Sequence, residues 1–186
     1  SLAANTSGIY NTAAGFQSLT NNITGSANTA FGNKSMYSMI SGVANNAFGK
    51  NAMYSNTSGS YNAAIGDQAL YSNVSGNFNT ALGRNSGLLS TGSGNVFIGY
   101  RAGSNEIGDH KLYIGSASWV EDDELGFTDF TDLTLIYGDF MTGDLSLGQT
   151  SGKVSILNDA DINGNLSIGS INDVEASVLS NSSTLS

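Results

Sequence analysis

Residues 59–70, which read Gly-Ser-Tyr-Asn-Ala-Ala-Ile-Gly-Asp-Gln-Ala-Leu, contain a pattern that the chain repeats. The core of the pattern, Asn-x-Ala-x-Gly, has five evenly spaced copies with a 17-residue period, which begin at Asn11, Asn28, Asn45, Asn62 and Asn79. A sixth copy begins one residue early, at Asn95, and has Phe97 in place of the alanine. A second glycine recurs with the same period, at Gly8, Gly25, Gly42, Gly59 and Gly76. A fixed period this short indicates a solenoid in which every coil is one supersecondary unit.

Each such coil has room for two strands of about five residues and two tight turns. Glycine is expected at the corners because a sharply reversing chain needs backbone angles that a Cβ disfavours. Six coils stacked at the inter-strand spacing would form a rod about 29 Å long. Asparagine in register indicates either an amide ladder or turns that are capped by side chains.

The first strand of each coil has two faces of similar character. One face, with Asn11, Ala13 and Gly15, stays small in every coil. The other face carries larger apolar residues in later coils, namely Phe31, Phe48, Ile65 and Leu82. Neither has the polarity of an ordinary solvent face. We therefore expect one face to line the roll and the other to pack against a neighbouring chain, and the sequence leaves open which is which.

These repeats resemble those of a known family. Asn-Thr-Ala-Phe-Gly at 28–32, Asn-Ala-Ala-Ile-Gly at 62–66 and Asn-Thr-Ala-Leu-Gly at 79–83 are similar to the head repeats of YadA-type trimeric autotransporter adhesins, and to the same repeats in bacteriophage tail fibres. The resemblance covers residues 1–103. It implies a left-handed parallel β-roll, a homotrimer with three chains side by side, and an extracellular location on a bacterial cell or a virion. The coils of this chain are longer than those heads commonly have, so one turn or strand should be longer here.

Charge divides the chain near residue 104. The formal net charge is −9, yet up to Gly103 four basic residues face only Asp67. From Ser104 onward Lys111 and Lys153 face 14 carboxylates. Such an acidic chain argues against a nucleic-acid partner. The chain has no cysteine and no apolar run of membrane-spanning length, so we expect no disulfide, no thiolate metal site and no membrane insertion by these residues.

We predict an all-β chain in three parts: β-roll repeats over 1–103, an acidic, β-hairpin-rich connector or shaft over 104–168, and a tail over 169–186. The repeat is no longer recognisable after 104, where 111–115 and 133–137 read as strands and Asn163-Gly164 as a hairpin turn. Segments 135–140 and 161–166 also resemble phage tail-fibre shafts. The tail has the spacing of a coiled-coil seam, and a frayed end is the alternative. The seam residues are Ile171, Val174, Val178, Asn181 and Leu185. By register the first residues lie in mid-coil, so we expect a fragment of a longer fibre.

Three tyrosines, Tyr37, Tyr54 and Tyr71, occupy one column and should stack on one another. They are the candidate receptor-binding residues, because an aromatic strip beside amides suits a sugar ring. The alternative is a structural aromatic ladder that stabilises the stack.

Catalytic and metal chemistry is poorly represented. His110 is the only histidine, so a metal site built on several histidines would need three chains around one axis. Residues 159–164 resemble half of an EF-hand loop, but Ser170 stands where the bidentate Glu belongs. Asp67 is the only carboxylate of the roll, so no glycosidase pair forms there. We expect no enzyme activity, no metal and no cofactor. The Asn-x-Ser/Thr sequons at 5, 22, 56 and 73 are interpreted as by-products of polar turns.

Three classes of function remain. The first is a trimeric attachment fibre that binds a glycan or protein on a host or substrate surface. The alternative is a purely structural fibre spacer. Threonines in register also suggest an ice-binding solenoid, but their column is too irregular for a lattice match. That column reads Thr12, Thr29, Asn46, Ala63 and Thr80.

Overall fold

The computed structural model describes residues 1–120 and 129–147, and the surroundings of side chains over 1–116 and 136–146. The chain divides into two compact units, Ser1–Lys153 and Val154–Ser186, and the second unit lies outside the described residues. The rejected EF-hand resemblance at 159–164, the predicted Asn163-Gly164 hairpin and the predicted coiled-coil seam therefore also lie outside them.

The described residues form one sheet of nine strands in chain order, without a helix. Six strands of three residues stack in parallel, one for each coil: β1 Thr12–Ala14, β2 Thr29–Phe31, β3 Asn46–Phe48, β4 Ala63–Ile65, β5 Thr80–Leu82 and β6 Val96–Ile98. Strand β7 (Lys111–Val120) adds to β6 in parallel and pairs antiparallel with β8 (Asp129–Asp139), which pairs antiparallel with β9 (Asp144–Leu147). The described residues are thus all-β and contain a parallel solenoid of about six coils.

The alanine column confirms the register predicted from the repeat. Each alanine pairs with its counterpart one coil away, in the order Ala13, Ala30, Ala47, Ala64 and Ala81. The last four are fully buried. The alanine side therefore lines the roll, and the side with the larger residues faces outward.

The prediction of two strands of about five residues per coil is wrong. Each coil has one strand of three residues, and turns form the remainder. These turns hold ordinary residues in left-handed backbone conformations; in the second coil Lys34, Met36 and Ala44 have φ of 52°, 48° and 55°. Such angles cost about 1–2 kcal/mol per residue. Hydrogen bonds between coils offset that cost, as where Met36 N donates to Ala52 O at 2.9 Å.

Stacking continues one step beyond the point where the repeat is no longer recognisable in the sequence. Val96 pairs with Leu112 at the same shortened spacing, so one sheet runs across residue 104. The fifth coil is one residue shorter than the fourth, and the missing residue is in a turn. The segment Tyr71–Gly76 of the fourth coil corresponds to the shorter segment Leu88–Gly92 of the fifth.

The core changes composition at the sixth coil without losing its packing. Phe97 replaces alanine and is fully buried. The position that carries Leu19, Met36, Met53 and Leu70 in earlier coils becomes Gly87 and then Gly103. A Cβ at either glycine would overlap the Phe97 ring, so the glycines provide the volume that the ring occupies.

The antiparallel strands are joined to the last coil by side chains. The Phe97 ring lies 5.9 Å from that of Tyr113, which meets Tyr137 edge-on at 5.0 Å. Lys111 forms a partly buried ion pair with Asp139. The hydrogen bond from Lys111 holds the pKa of the Asp139 carboxyl below its ordinary value, and the same bond raises the pKa of Lys111.

Candidate functional site

The repeated asparagine is internal scaffolding. Asn45 is fully buried, and its Nδ2 donates to Gly59 O at 2.8 Å and to Asn28 Oδ1 at 3.0 Å. Its Oδ1 accepts a hydrogen bond from Asn62 N at 3.0 Å. The pattern combines the two arrangements predicted, an amide ladder between coils and a carbonyl cap at the glycine corner. Equivalent bonds to the next coil or the glycine corner are made by Asn11, Asn28, Asn62, Asn79 and Asn95.

All four sequon asparagines bond to a glycine corner, and three of them are also buried. Asn22, Asn56 and Asn73 are fully buried, and Asn56 Oδ1 accepts from Gly59 N at 2.7 Å. A buried amide cannot receive a glycan in the folded chain, which supports the interpretation of these sequons as turn chemistry.

The tyrosine column forms the predicted stack. The ring centroids of Tyr37 and Tyr54 lie 5.2 Å apart and those of Tyr54 and Tyr71 5.1 Å apart, with the ring planes within 11° of parallel. All three side chains are half-buried. Their hydroxyls make no hydrogen bond within the part of the chain that the structure describes, and they are open to solvent. We call these three residues the tyrosine ladder.

Ring stacking decides what the tyrosine ladder can offer to a ligand. Tyr54 is covered on both faces by its neighbours, and the outer side of Tyr37 is approached by Lys34, whose Nζ lies 5.8 Å from the ring centroid. A sugar ring therefore has no free central face on which to lie. What remains available is a row of ring edges and hydroxyls, which suits hydrogen bonding repeated from coil to coil.

An apolar stripe follows the outer face of the strands. Its members are between 40% and 47% exposed, and Phe31 stacks on Phe48 at 5.6 Å. We call this set the strand stripe: Phe31, Phe48, Ile65 and Leu82. A continuous exposed apolar surface on a folded chain is typical of an interaction site.

Sequence reasoning missed another exposed aromatic contact. Tyr61 and Phe78 stack at 5.1 Å with nearly parallel rings, and they are 56% and 65% exposed. Both precede the asparagine of the repeat, where the first coil has Tyr10 and the next two coils have Ala27 and Ala44. That shared position was the signal that could have identified the pair.

Acidic and metal-ligating side chains are scattered. Among the residues that the structure describes, no three His, Asp or Glu side chains come together as a metal site would require. Asp67, the roll's only carboxylate, lies 3.8 Å from Arg84, and His110 is exposed in a turn. Within the same described ranges there is no helix of a length and apolarity that would cross a membrane.

Comparison with known proteins adds no relative to this picture. No protein-family model matches the chain, and no curated protein or solved structure is significantly similar to it. The function proposed below therefore depends on the geometry of the chain itself and on the resemblance of its repeats.

Proposed function

We propose that this chain is a segment of a non-enzymatic, homotrimeric attachment fibre that binds a host or substrate surface. One observation carries the proposal: the same roll has an exposed apolar stripe that runs over four coils and a row of unpartnered hydroxyls that runs over three. An apolar surface suits assembly with another copy, and repeated hydroxyls suit attachment. The resemblance to adhesin heads and phage tail fibres supports the three-fold assembly, a left-handed roll and an extracellular location.

Assembly would bury the strand stripe. An isolated roll leaves Phe31, Phe48, Ile65 and Leu82 between 40% and 47% exposed. Burying the exposed remainder is worth about 1 kcal/mol for each side chain, roughly half the value for full burial. Three rolls with their strand stripes turned toward a common axis would cover all of them. Folding stability would then depend on protein concentration, because the trimer would be more stable than its separated chains.

Ile65→Asp is expected to dissociate the trimer, because it places a charge in the middle of the strand stripe. Val74→Asp is the matched control: Val74 is also 47% exposed but lies further along the same coil, outside the strand. Analytical ultracentrifugation at micromolar concentration should show a trimer for the original chain and for the control, and a smaller species for Ile65→Asp. A stably folded monomer of the original chain would contradict the proposal.

Attachment is assigned to the tyrosine ladder. Each ladder residue offers only a weak contact, but three ladders on one trimer would engage a surface together, and the effective concentration would raise the avidity. Cell-surface glycans and proteins both present hydrogen-bonding groups that such hydroxyls could meet.

Replacing Tyr37, Tyr54 and Tyr71 together by Ala is expected to abolish attachment to host cells and to a glycan array while the fibre remains trimeric. Tyr61→Ala/Phe78→Ala is the control, since it removes an exposed aromatic pair elsewhere on the roll. Cooperative melting must be retained in each variant. If the original fibre binds nothing, the spacer function is favoured. Attachment unchanged in the folded triple variant would place the site elsewhere.

A further inference from the structure

We infer that the tyrosine ladder binds an extended β-1,4-linked polysaccharide that lies along the solenoid axis, with one sugar for each coil. The inference rests on the proposed function, in which this ladder is the attachment site, and it specifies the class of ligand and its orientation.

The first reason is the repeat of the ladder. Successive rings are 5.2 Å and 5.1 Å apart, which closely matches the advance per sugar along an extended β-1,4-linked chain. Such a ligand advances by one coil for each sugar, and because successive sugars face opposite ways it presents the same edge to every second coil. An α-1,4-linked glucan winds into a helix and loses the register after one or two sugars.

The second reason is the supply of polar groups without partners beside the ladder. A serine follows each tyrosine, at Ser38, Ser55 and Ser72. Three residues before each tyrosine stands a second polar side chain, at Lys34, Asn51 and Gln68. All six are half-buried, and in the described part of the chain none of these side chains makes a hydrogen bond. The contact between Lys34 and the Tyr37 ring shows that the first member of this second column lies against the ladder.

The resulting surface has the chemistry that sugar hydroxyls need. Each coil presents one phenolic hydroxyl, one serine hydroxyl and one amide or ammonium group, and together these both donate and accept. Groups that are partly shielded from water but unpartnered gain more from a ligand's hydrogen bond than fully solvated ones.

The third reason concerns the length of the site. The ladder has three members because the same position is Thr20 in the coil before Tyr37 and Leu88 in the coil after Tyr71. Three coils therefore define three sugar subsites, and a longer glycan gains little from its extra residues.

The test uses the intact fibre with soluble β-1,4-linked oligosaccharides of two to six sugars, and calorimetry as the readout. Affinity is expected to rise steeply up to three sugars and then level off. α-1,4-Linked maltooligosaccharides of the same lengths are the control ligands and should not show this rise. Affinity that is independent of length, or equal for the two linkages, would overturn the inference.

A second variant isolates the hydroxyls. Replacing all three tyrosines by Phe keeps the ring stack but removes the three hydroxyls, and is expected to weaken binding of the trisaccharide about tenfold or more. Unchanged affinity would overturn the inference. Parallel series of glucose-based and N-acetylglucosamine-based oligosaccharides, which share the linkage, distinguish the two sources of such a chain.

Cell attachment by the original fibre, measured beside its sugar binding, separates the inference from the proposed function. If the fibre attaches to cells but binds no β-1,4-linked sugar, the ligand class is wrong and the attachment function stands. If it neither attaches to cells nor binds a sugar, both fail.

Discussion

Gly49→Ala is expected to remove most or all of the folding free energy of the roll. Gly49 has a φ of +147°, and a Cβ there would overlap the Gly66 carbonyl of the next coil, whose carbon would be 2.6 Å away. The Gly66 backbone cannot retreat, because it is stacked in the same way on Gly83. With backbone strain added to a backbone clash, we expect a loss of at least about 5 kcal/mol, comparable with the whole stability of many domains.

The matched control is Gly143→Ala, in the turn before β9. Gly143 also has a positive φ, 77°, but a Cβ added there meets no atom within 4 Å. It should therefore cost only the backbone strain, about 1–2 kcal/mol. Urea unfolding followed by circular dichroism measures both variants. If the two variants lose similar amounts of folding free energy, the stability of the fold does not depend on the close stacking of Gly49 on Gly66.

Much of the solenoid could be predicted because its determinants repeat at one fixed spacing. The Ala30 column, the Asn45 ladder and the stacking of Tyr37 on Tyr54 all follow from the same period. Once coils stack in parallel, residues separated by one period must become neighbours. The candidate binding residues were therefore found together, but the sequence could not show that their ring faces cover one another.

The turns could not be predicted in the same way. Local rules reserve left-handed backbone mainly for glycine and asparagine, yet Met36 and Met53 adopt it with φ of 48° and 51°. Only tertiary context compels this: Met36 N bonds to Ala52 O, and the methionine side chains fill the core opposite the small alanines. Strand prediction overestimated regular structure because the sequence of these turns contains no local signal for them.

The identity of the inner face also required the structure. Ala47 and Phe48 are both apolar and adjacent, so composition alone does not say which side chain is enclosed. The narrow interior decides it, since methionine and leucine from the facing turns leave room only for alanine. Phe97 can be enclosed in place of alanine because its coil has Gly103, which leaves the space that Met or Leu fills in earlier coils.

Asn45→Ala is expected to cost about 5 kcal/mol, a far larger effect than is usual for a polar residue. Removing the amide leaves Asn62 N without its buried partner and leaves Gly59 O with only the 3.3 Å bond from Asn56 Nδ2. It also removes the side-chain bonds that Asn45 makes with Asn28 Oδ1 and Asn62 Nδ2. Each buried group left unsatisfied costs about 1–3 kcal/mol. Because the ladder continues through neighbouring coils, the loss should be felt by the whole roll.

Asn33→Ala provides the control for this variant. Asn33 lies in the coil before, is exposed, and its side chain makes no hydrogen bond within the described residues. Its replacement should change the unfolding free energy by less than about 0.5 kcal/mol. Chemical denaturation at one fixed protein concentration is needed, so that a change in association is not read as a change in folding. If Asn45→Ala is no more damaging than Asn33→Ala, the asparagine ladder is incidental to the stability of the roll, and its recurrence in every coil needs another cause.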